Sequence, residues 1–189
     1  MDNYNRALTK AIDLDLNRCA EMKVLLVDDD ANLVEFLRHF LEGLKFRVET
    51  ASSGEEALSI LHNIGDVDIA LIDYWLPGMN GLETIGRISE SSPDTIMMVI
   101  TGLPTLDSSI RAIRLGASDY ILKPFKVEDL VASIKKAMKE REIRLEIRKL
   151  KSRVAALEKD TKSLKNIEVN DNIERIGNIQ ESSKTKPPD

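Results

Sequence analysis

Three aspartates stand in a row, Asp28, Asp29 and Asp30, directly after the apolar run VLLV (24–27). A fourth, Asp73, follows IALI (69–72); Thr101 follows IMMVI (96–100), and Lys123 follows YIL (120–122). Clustered carboxylates repel and raise one another's pKa unless a cation neutralises them. Magnesium takes hard oxygen ligands and keeps some of its waters. A lysine nearby adds a point charge suited to a phosphoryl oxygen, and a threonine hydroxyl can donate to another. One aspartate would remain as a nucleophile able to form an acyl phosphate, with metal and lysine offsetting charge on the transferring group. Singly, each residue has a plainer role: Asp30 suits a helix cap, Thr101 a strand end, Lys123 a solvated surface. Together, four apolar runs ending in complementary groups call for an element arrangement that gathers them.

That arrangement is legible in the periodicity. VLLV (24–27), Arg47–Ala51, IALI (69–72), IMMVI (96–100) and YIL (120–122) read as five strands. Between them, Leu33, Val34, Phe36, Leu37, Phe40, Leu41 and Leu44 recur at helical spacing, and Gly43 suits that helix's end. Ser53 and Glu56 form a capping box for a second helix through about Leu61. A third runs from Leu82 to Ser89, after a loop holding Pro77, Gly78 and Gly81; a fourth covers Leu106–Leu115 and stops at Gly116. A fifth begins near Val127 and meets no breaker for a long stretch. Strands apolar throughout are covered on both faces, so a doubly wound α/β domain with a parallel sheet is expected over 23–140. In such folds ligands bind beyond the carboxyl ends of the strands. With strand order 2-1-3-4-5, the acids, Thr101 and Lys123 share that edge.

The composition agrees. The chain has 189 residues, 42% hydrophobic and 31% charged, with a net charge of -5, as for one domain plus an extension. The acidity lies in the domain, since basic residues outnumber acidic ones from Lys126 to Asn166. No apolar run is long enough to span a membrane, and the opening residues lack the pattern of a secretory signal. The single cysteine, Cys19, excludes an internal disulfide and a Cys-based metal cluster and suits a reducing cytoplasm. Residues 1–22, with Leu8 and Ile12 at helical spacing, read as an extension that is helical or disordered.

The motifs VDDD, IDYWLPGMNG, ITG and GASDYILKPF resemble the receiver domain of two-component response regulators over about 23–140. The resemblance implies a flavodoxin-like fold and a phospho-acceptor, Asp73, charged from a phosphohistidine on a sensor kinase or phosphotransfer protein. It implies that Asp29, Asp73 and the backbone carbonyl of Trp75 bind Mg²⁺, with Asp28 helping through water, and that Thr101 and Lys123 hold phosphoryl oxygens. Tyr120 matches the aromatic switch, and the Lys123–Pro124 bond is expected to be cis. Phosphorylation adds about two negative charges; Thr101 would move toward them, Tyr120 would turn inward, and the face of the fourth and fifth helices would be re-aimed. The family tunes dephosphorylation two residues past the aspartate and two past the threonine. Here Trp75 and Leu103 stand there, neither able to orient a water well, which predicts a long-lived phosphoryl state. ITG and GA-x-DY, followed by a charged coil, resemble receivers that control AAA+ transcription activators, but no G-x-x-x-x-G-K-[ST] occurs.

Beyond the domain, Ile143, Ile147, Leu150, Val154, Leu157, Thr161 and Leu164 alternate steps of four and three, a heptad seam. Ile147, Val154 and Thr161 at a, with Ile143, Leu150, Leu157 and Leu164 at d, favour a parallel homodimer through 143–164. The g–e′ pairs Glu146–Lys151, Arg153–Glu158 and Asp160–Lys165 are all opposite in sign. A coiled-coil helix is therefore expected over 141–166, and a mostly disordered tail over 167–189. Arg141, Arg144, Arg148, Lys149, Lys151 and Arg153 alternate with acids or lie at solvent positions without aromatic companions, which argues against DNA binding. A downstream effector protein is the expected output partner. Two rivals remain. A Mg-dependent phosphatase would use Asp28 and Asp30 as a D-x-D pair, but Asn32 stands where that chemistry wants Thr or Val and no late acidic pair follows Leu122. An unphosphorylated dimeric scaffold would leave the strand ends idle. His39 and His62 fall within predicted helices without acidic partners in motif form and read as surface or packing residues.

Overall fold

The computed structural model of the chain describes residues 16–183, with the side chains of 19–159 and 161. After a helical turn at Leu16–Glu21, strands β1 (Lys23–Val27), β2 (Arg47–Ala51), β3 (Ile69–Asp73), β4 (Ile96–Thr101) and β5 (Ala117–Leu122) alternate with helices α1 (Ala31–Gly43), α2 (Gly54–Ile64), α3 (Gly81–Ser91), α4 (Leu106–Arg114) and α5 (Val127–Ser183). The sheet order is β2-β1-β3-β4-β5, and every neighbouring pair is parallel. The expected 2-1-3-4-5 doubly wound sheet therefore forms. The chain divides into two compact units between Arg141 and Glu142. No helix among the described residues is both long and apolar enough to cross a membrane.

Side chains alternate along each central strand and sort into two cores. Val24, Leu26, Ile69, Leu71, Ile96, Met98 and Ile100 meet Leu37, Phe40 and Leu41 of α1 and Leu130, Val131 and Ile134 of α5. Leu25, Val27, Ala70, Ile72, Met97 and Val99 meet Ala57 of α2, Leu82, Ile85 and Ile88 of α3, and Ala112 of α4. Both faces are dry, which is why these strands are unbroken apolar runs. Edge strand β2 alternates exposed and less exposed residues instead, with Arg47 and Glu49 outward. At the opposite, N-terminal edge of the sheet, Arg141 Nε donates to the Asp94 carbonyl at 2.6 Å and its guanidinium pairs with Asp68 at 3.2 Å.

Several local expectations are corrected by tertiary packing. The opening extension, expected to be helical or disordered, is helical at Leu16–Glu21, and its Cys19 and Met22 are buried in the core beside α1. α1 does end at Gly43; the left-handed residue beyond it is Lys45, at φ 75. Its N–H donates to the Glu42 carbonyl, Phe46 N–H bonds the Leu41 carbonyl, and buried Leu44 and Phe46 hold the turn from either side. Their burial outweighs the roughly 1 kcal/mol that a left-handed lysine costs. At α2, Ser53 Oγ accepts from the Glu56 N–H at 3.2 Å, but the carboxylate of Glu56 reaches one residue further back, accepting from Ser52 N–H and Oγ–H, both at 2.7 Å. β5 starts at Ala117 rather than Tyr120, because its pairing with β4 resumes on the far side of a register shift at Met97/Met98. In place of the disordered tail expected from residue 167, α5 continues to Ser183; no proline occurs between Pro124 and Pro187 to stop it. Leu8 and Ile12 lie outside the described residues.

Candidate functional site at the carboxyl edge of the sheet

The parallel registers Val27↔Ile72, Asp73↔Ile100 and Thr101↔Leu122 set the ends of β1, β3, β4 and β5 side by side. The residues that follow or close these strands meet as a consequence. One carboxylate oxygen each from Asp28, Asp29 and Asp73 lies within 4.8 Å of the others. Asp28 and Asp73 are buried, at 2% and 6% exposure, while Asp29 is exposed. Lys123 Nζ donates to Asp28 Oδ2 at 2.6 Å and to Asp73 Oδ2 at 2.9 Å.

The two buried carboxylates are satisfied in the same way. Asp28 Oδ1 accepts from the Asp30 N–H at 3.0 Å, and Asp73 Oδ1 accepts from the Trp75 N–H at 3.3 Å. Each acid thus has one oxygen on the ammonium and one on a backbone amide two residues ahead, as buried polar groups require. Asp30 itself caps α1, accepting from the N–H groups of Asn32 and Leu33. Gly81 opens α3 directly against the end of β3: any Cβ there would collide with the carbonyl of Asp73. The absence of a side chain at 81 therefore fixes where Asp73 can stand.

Burial raises the Asp28 pKa above its ordinary 3.8, and the hydrogen bonds from Lys123 and the Asp30 amide only partly offset this. Burial alone would pull Lys123 down. The hydrogen bonds and charges of Asp28 and Asp73 outweigh it, and its pKa rises above 10.5. An oxygen set of this kind fits a hard divalent cation, and Lys123 holds oxygens of the same two buried acids.

Thr101, fully buried at the end of β4, accepts from the Leu103 N–H at 3.3 Å. Lys123 N–H bonds the Thr101 carbonyl at 2.7 Å, and the Lys123–Pro124 bond is cis. Trp75 packs edge-on against Tyr74 with ring centroids 4.9 Å apart, and more than half of it remains exposed. Leu103 is exposed as well. Tyr120 is half-buried, and its hydroxyl shares a 2.9 Å hydrogen bond with Ser108 Oγ on α4 rather than reaching the acids. Ser108 was not among the expected site residues. Its signal was T-x-x-S before a helix, and Thr105 and Ser108 do form a capping box; that the box also receives Tyr120 depends on β5 lying beside α4.

Comparison with known proteins agrees with this geometry. The family described as response regulator receiver domain matches residues 24–135. The cell cycle response regulator CtrA of Brucella ovis is 34% identical over 113 residues, 60% of this chain and 48% of that protein, so the chain spans about half the length of such relatives. A CheY-like receiver domain from Methanospirillum hungatei JF-1 superimposes with TM-score 0.63 at 31% identity, covering 65% of this chain and 98% of the other. The beryllofluoride-activated NtrC4 receiver domain dimer gives TM-score 0.59 at 34% identity, covering 63% and 98%.

Replacing Lys123 by Met leaves two buried carboxylates without their cation. In metal-free neutral buffer the variant is expected to unfold at lower urea, with a loss of roughly 3–5 kcal/mol. Because the lysine's folded-state pKa is raised, its contribution is fully present below 10.5 and is lost only as pH rises through the raised value. Equal stability of variant and parent at neutral pH would show that the bridge carries no weight.

Proposed function

This chain belongs to the response regulator receiver domain family, and from that premise we propose that it is a phosphorylation-dependent switch of a two-component system. The observation that carries the reading is a buried aspartate, Asp73, bound to Lys123 within ligand reach of Asp28 and Asp29. In this reading Asp73 attacks the phosphorus of a phosphohistidine on a sensor kinase or phosphotransfer protein. A P–O bond forms to its carboxylate as the P–N bond breaks, and the imidazole nitrogen leaves with the electron pair. Asp28, Asp29, Asp73 and the Trp75 carbonyl would hold Mg²⁺, which supplies positive charge against the phosphoryl oxygens when bound. Lys123 exchanges its carboxylate partners for a phosphoryl oxygen, and Thr101 donates to another. The domain is a phospho-acceptor rather than an enzyme with turnover.

Thr101, drawn toward the new anion, would leave room for Tyr120 to turn inward and give up Ser108. That couples the site to α4, where Leu106, Ile110 and Ile113 are exposed, and supports an output face on α4 and α5 for a downstream effector. Further along α5, Ile143, Ile147, Leu150, Val154 and Leu157 are all exposed, as are Glu146, Lys151, Arg153 and Glu158. An apolar seam flanked by opposite charges supports a parallel homodimer through 143–164. The side chains of Asp160, Leu164 and Lys165 lie outside those described. Cys19, a buried thiol, suits a cytoplasmic protein, and neither membrane nor DNA is a proposed partner.

Three measurements test this. Incubated with a small phosphodonor and Mg²⁺, the protein is expected to accumulate a stable acyl phosphate that Asp73→Asn abolishes. Turnover without accumulation would instead indicate a phosphatase, and no reaction a scaffold. Trp75→Asn should shorten the label's lifetime several-fold; an unchanged lifetime would overturn Trp75 as a cause of the long-lived phosphoryl state. By light scattering the chain should have the mass of a dimer, and a monomeric mass with and without phosphorylation would refute the coil as the dimer seam.

A further inference from the structure

We propose that Glu55 is a positioning residue for the cation site, acting through the loop that carries the Trp75 carbonyl. The inference rests on the switch reading above. Residues 74–80 leave the end of β3 and enter α3 at its cap, Asn80. The ends of the loop are tied to the sheet and to each other: Tyr74 N–H donates to the Ile100 carbonyl and Gly81 N–H to the Tyr74 carbonyl, both at 3.0 Å. Its middle is held from a different element. Met79 N–H donates to Glu55 Oε1 at 3.0 Å, from a side chain 24 residues away in the first turn of α2.

The fit is close. Gly78 passes the carboxylate at φ +74, and a Cβ there would meet Glu55 Oε1 at 2.8 Å. The start of α2 presses on the same spot, since a Cβ on Gly54 would lie 3.1 Å from both the Cβ and the carbonyl oxygen of Met79. Glu55 is itself exposed and does not belong to the three-acid cluster, so it has no contact with the reacting atoms. A charged acceptor on a backbone amide is among the stronger hydrogen bonds. Here it sets the height of Trp75–Met79 above the sheet edge, and with it where the Trp75 carbonyl stands relative to Asp73. Outer partners of this kind fix the orientation of ligands that the cation itself then meets.

The test uses the full chain. Mg²⁺ is titrated by calorimetry and by fluorescence of Trp75, the protein's single tryptophan, while amide exchange at Met79 is followed without metal. Glu55→Ala is expected to weaken Mg²⁺ binding about tenfold, the lower end of what loss of an outer partner costs, and to speed Met79 exchange. Glu55→Gln keeps an oxygen acceptor and should restore both. Unchanged exchange and affinity in Glu55→Ala would overturn the inference, as would a loss in Glu55→Gln equal to that in Glu55→Ala, which would make the effect one of charge. If the parent binds no Mg²⁺, the cation reading of the site fails, whereas Met79 exchange still reports separately whether Glu55 holds the loop.

Discussion

One ammonium shared by two buried carboxylates is the constraint on which this structure turns. Asp28 and Asp73 come from strands that are neighbours in the sheet but 45 residues apart in the chain, and each sits at the end of an apolar run. Burying two like charges side by side is costly unless a cation pairs with both. Lys123 meets that need from a third strand, at 2.6 and 2.9 Å. The bridge is therefore possible only if β1, β3, β4 and β5 are contiguous and parallel, so that their carboxyl ends share one edge. Sheet order and site chemistry are the same fact seen at two scales.

The rest of the receiver unit supplies rigidity for that edge. A sheet buried on both faces by five helices leaves its strand ends little freedom, so the short loops that follow them can carry function without losing geometry. Where a loop must come especially close, the chain dispenses with a side chain, as at Gly81 against the Asp73 carbonyl. Where it must be held off, a side chain from a neighbouring element does so, as Glu55 does for Met79. These supports lie outside the reacting cluster yet determine its dimensions.

Beyond the acids, the contacts between elements are made by hydroxyls rather than charges. Thr101 closes β4, and Tyr120 on the next strand is bonded to Ser108 inside α4. That helix exposes Leu106, Ile110 and Ile113 alongside Asp107 and Arg111. The second unit has a different character: its described residues form one helix with an exposed apolar seam and interspersed charge, and such a helix gains most of its stability from a partner.

Much of this could be read before any coordinates. Strand runs, the caps Asp30 and Ser53, and the residues Asp28, Asp29, Asp73, Thr101 and Lys123 are local signals: each depends on a side chain's own type and its few neighbours along the chain. Periodicity of two and of 3.6 reports burial directly, because burial is what the pattern answers to. What escaped were contacts whose cause lies far away in sequence. Cys19 and Met22 look like part of a helical or disordered extension until α1 packs over them. Lys45 takes the left-handed turn beyond Gly43 because Leu44 and Phe46 are buried by distant residues. Glu55 reads as one more acid in a helix's first turn, and Ser108 as a cap. The sequence by itself determined the strands, their order of chemistry and the kind of groups at their ends. Only the tertiary structure decided the distances between them and the supports that maintain those distances, because hydrogen bonds and close packing between remote segments leave no periodic trace in the chain.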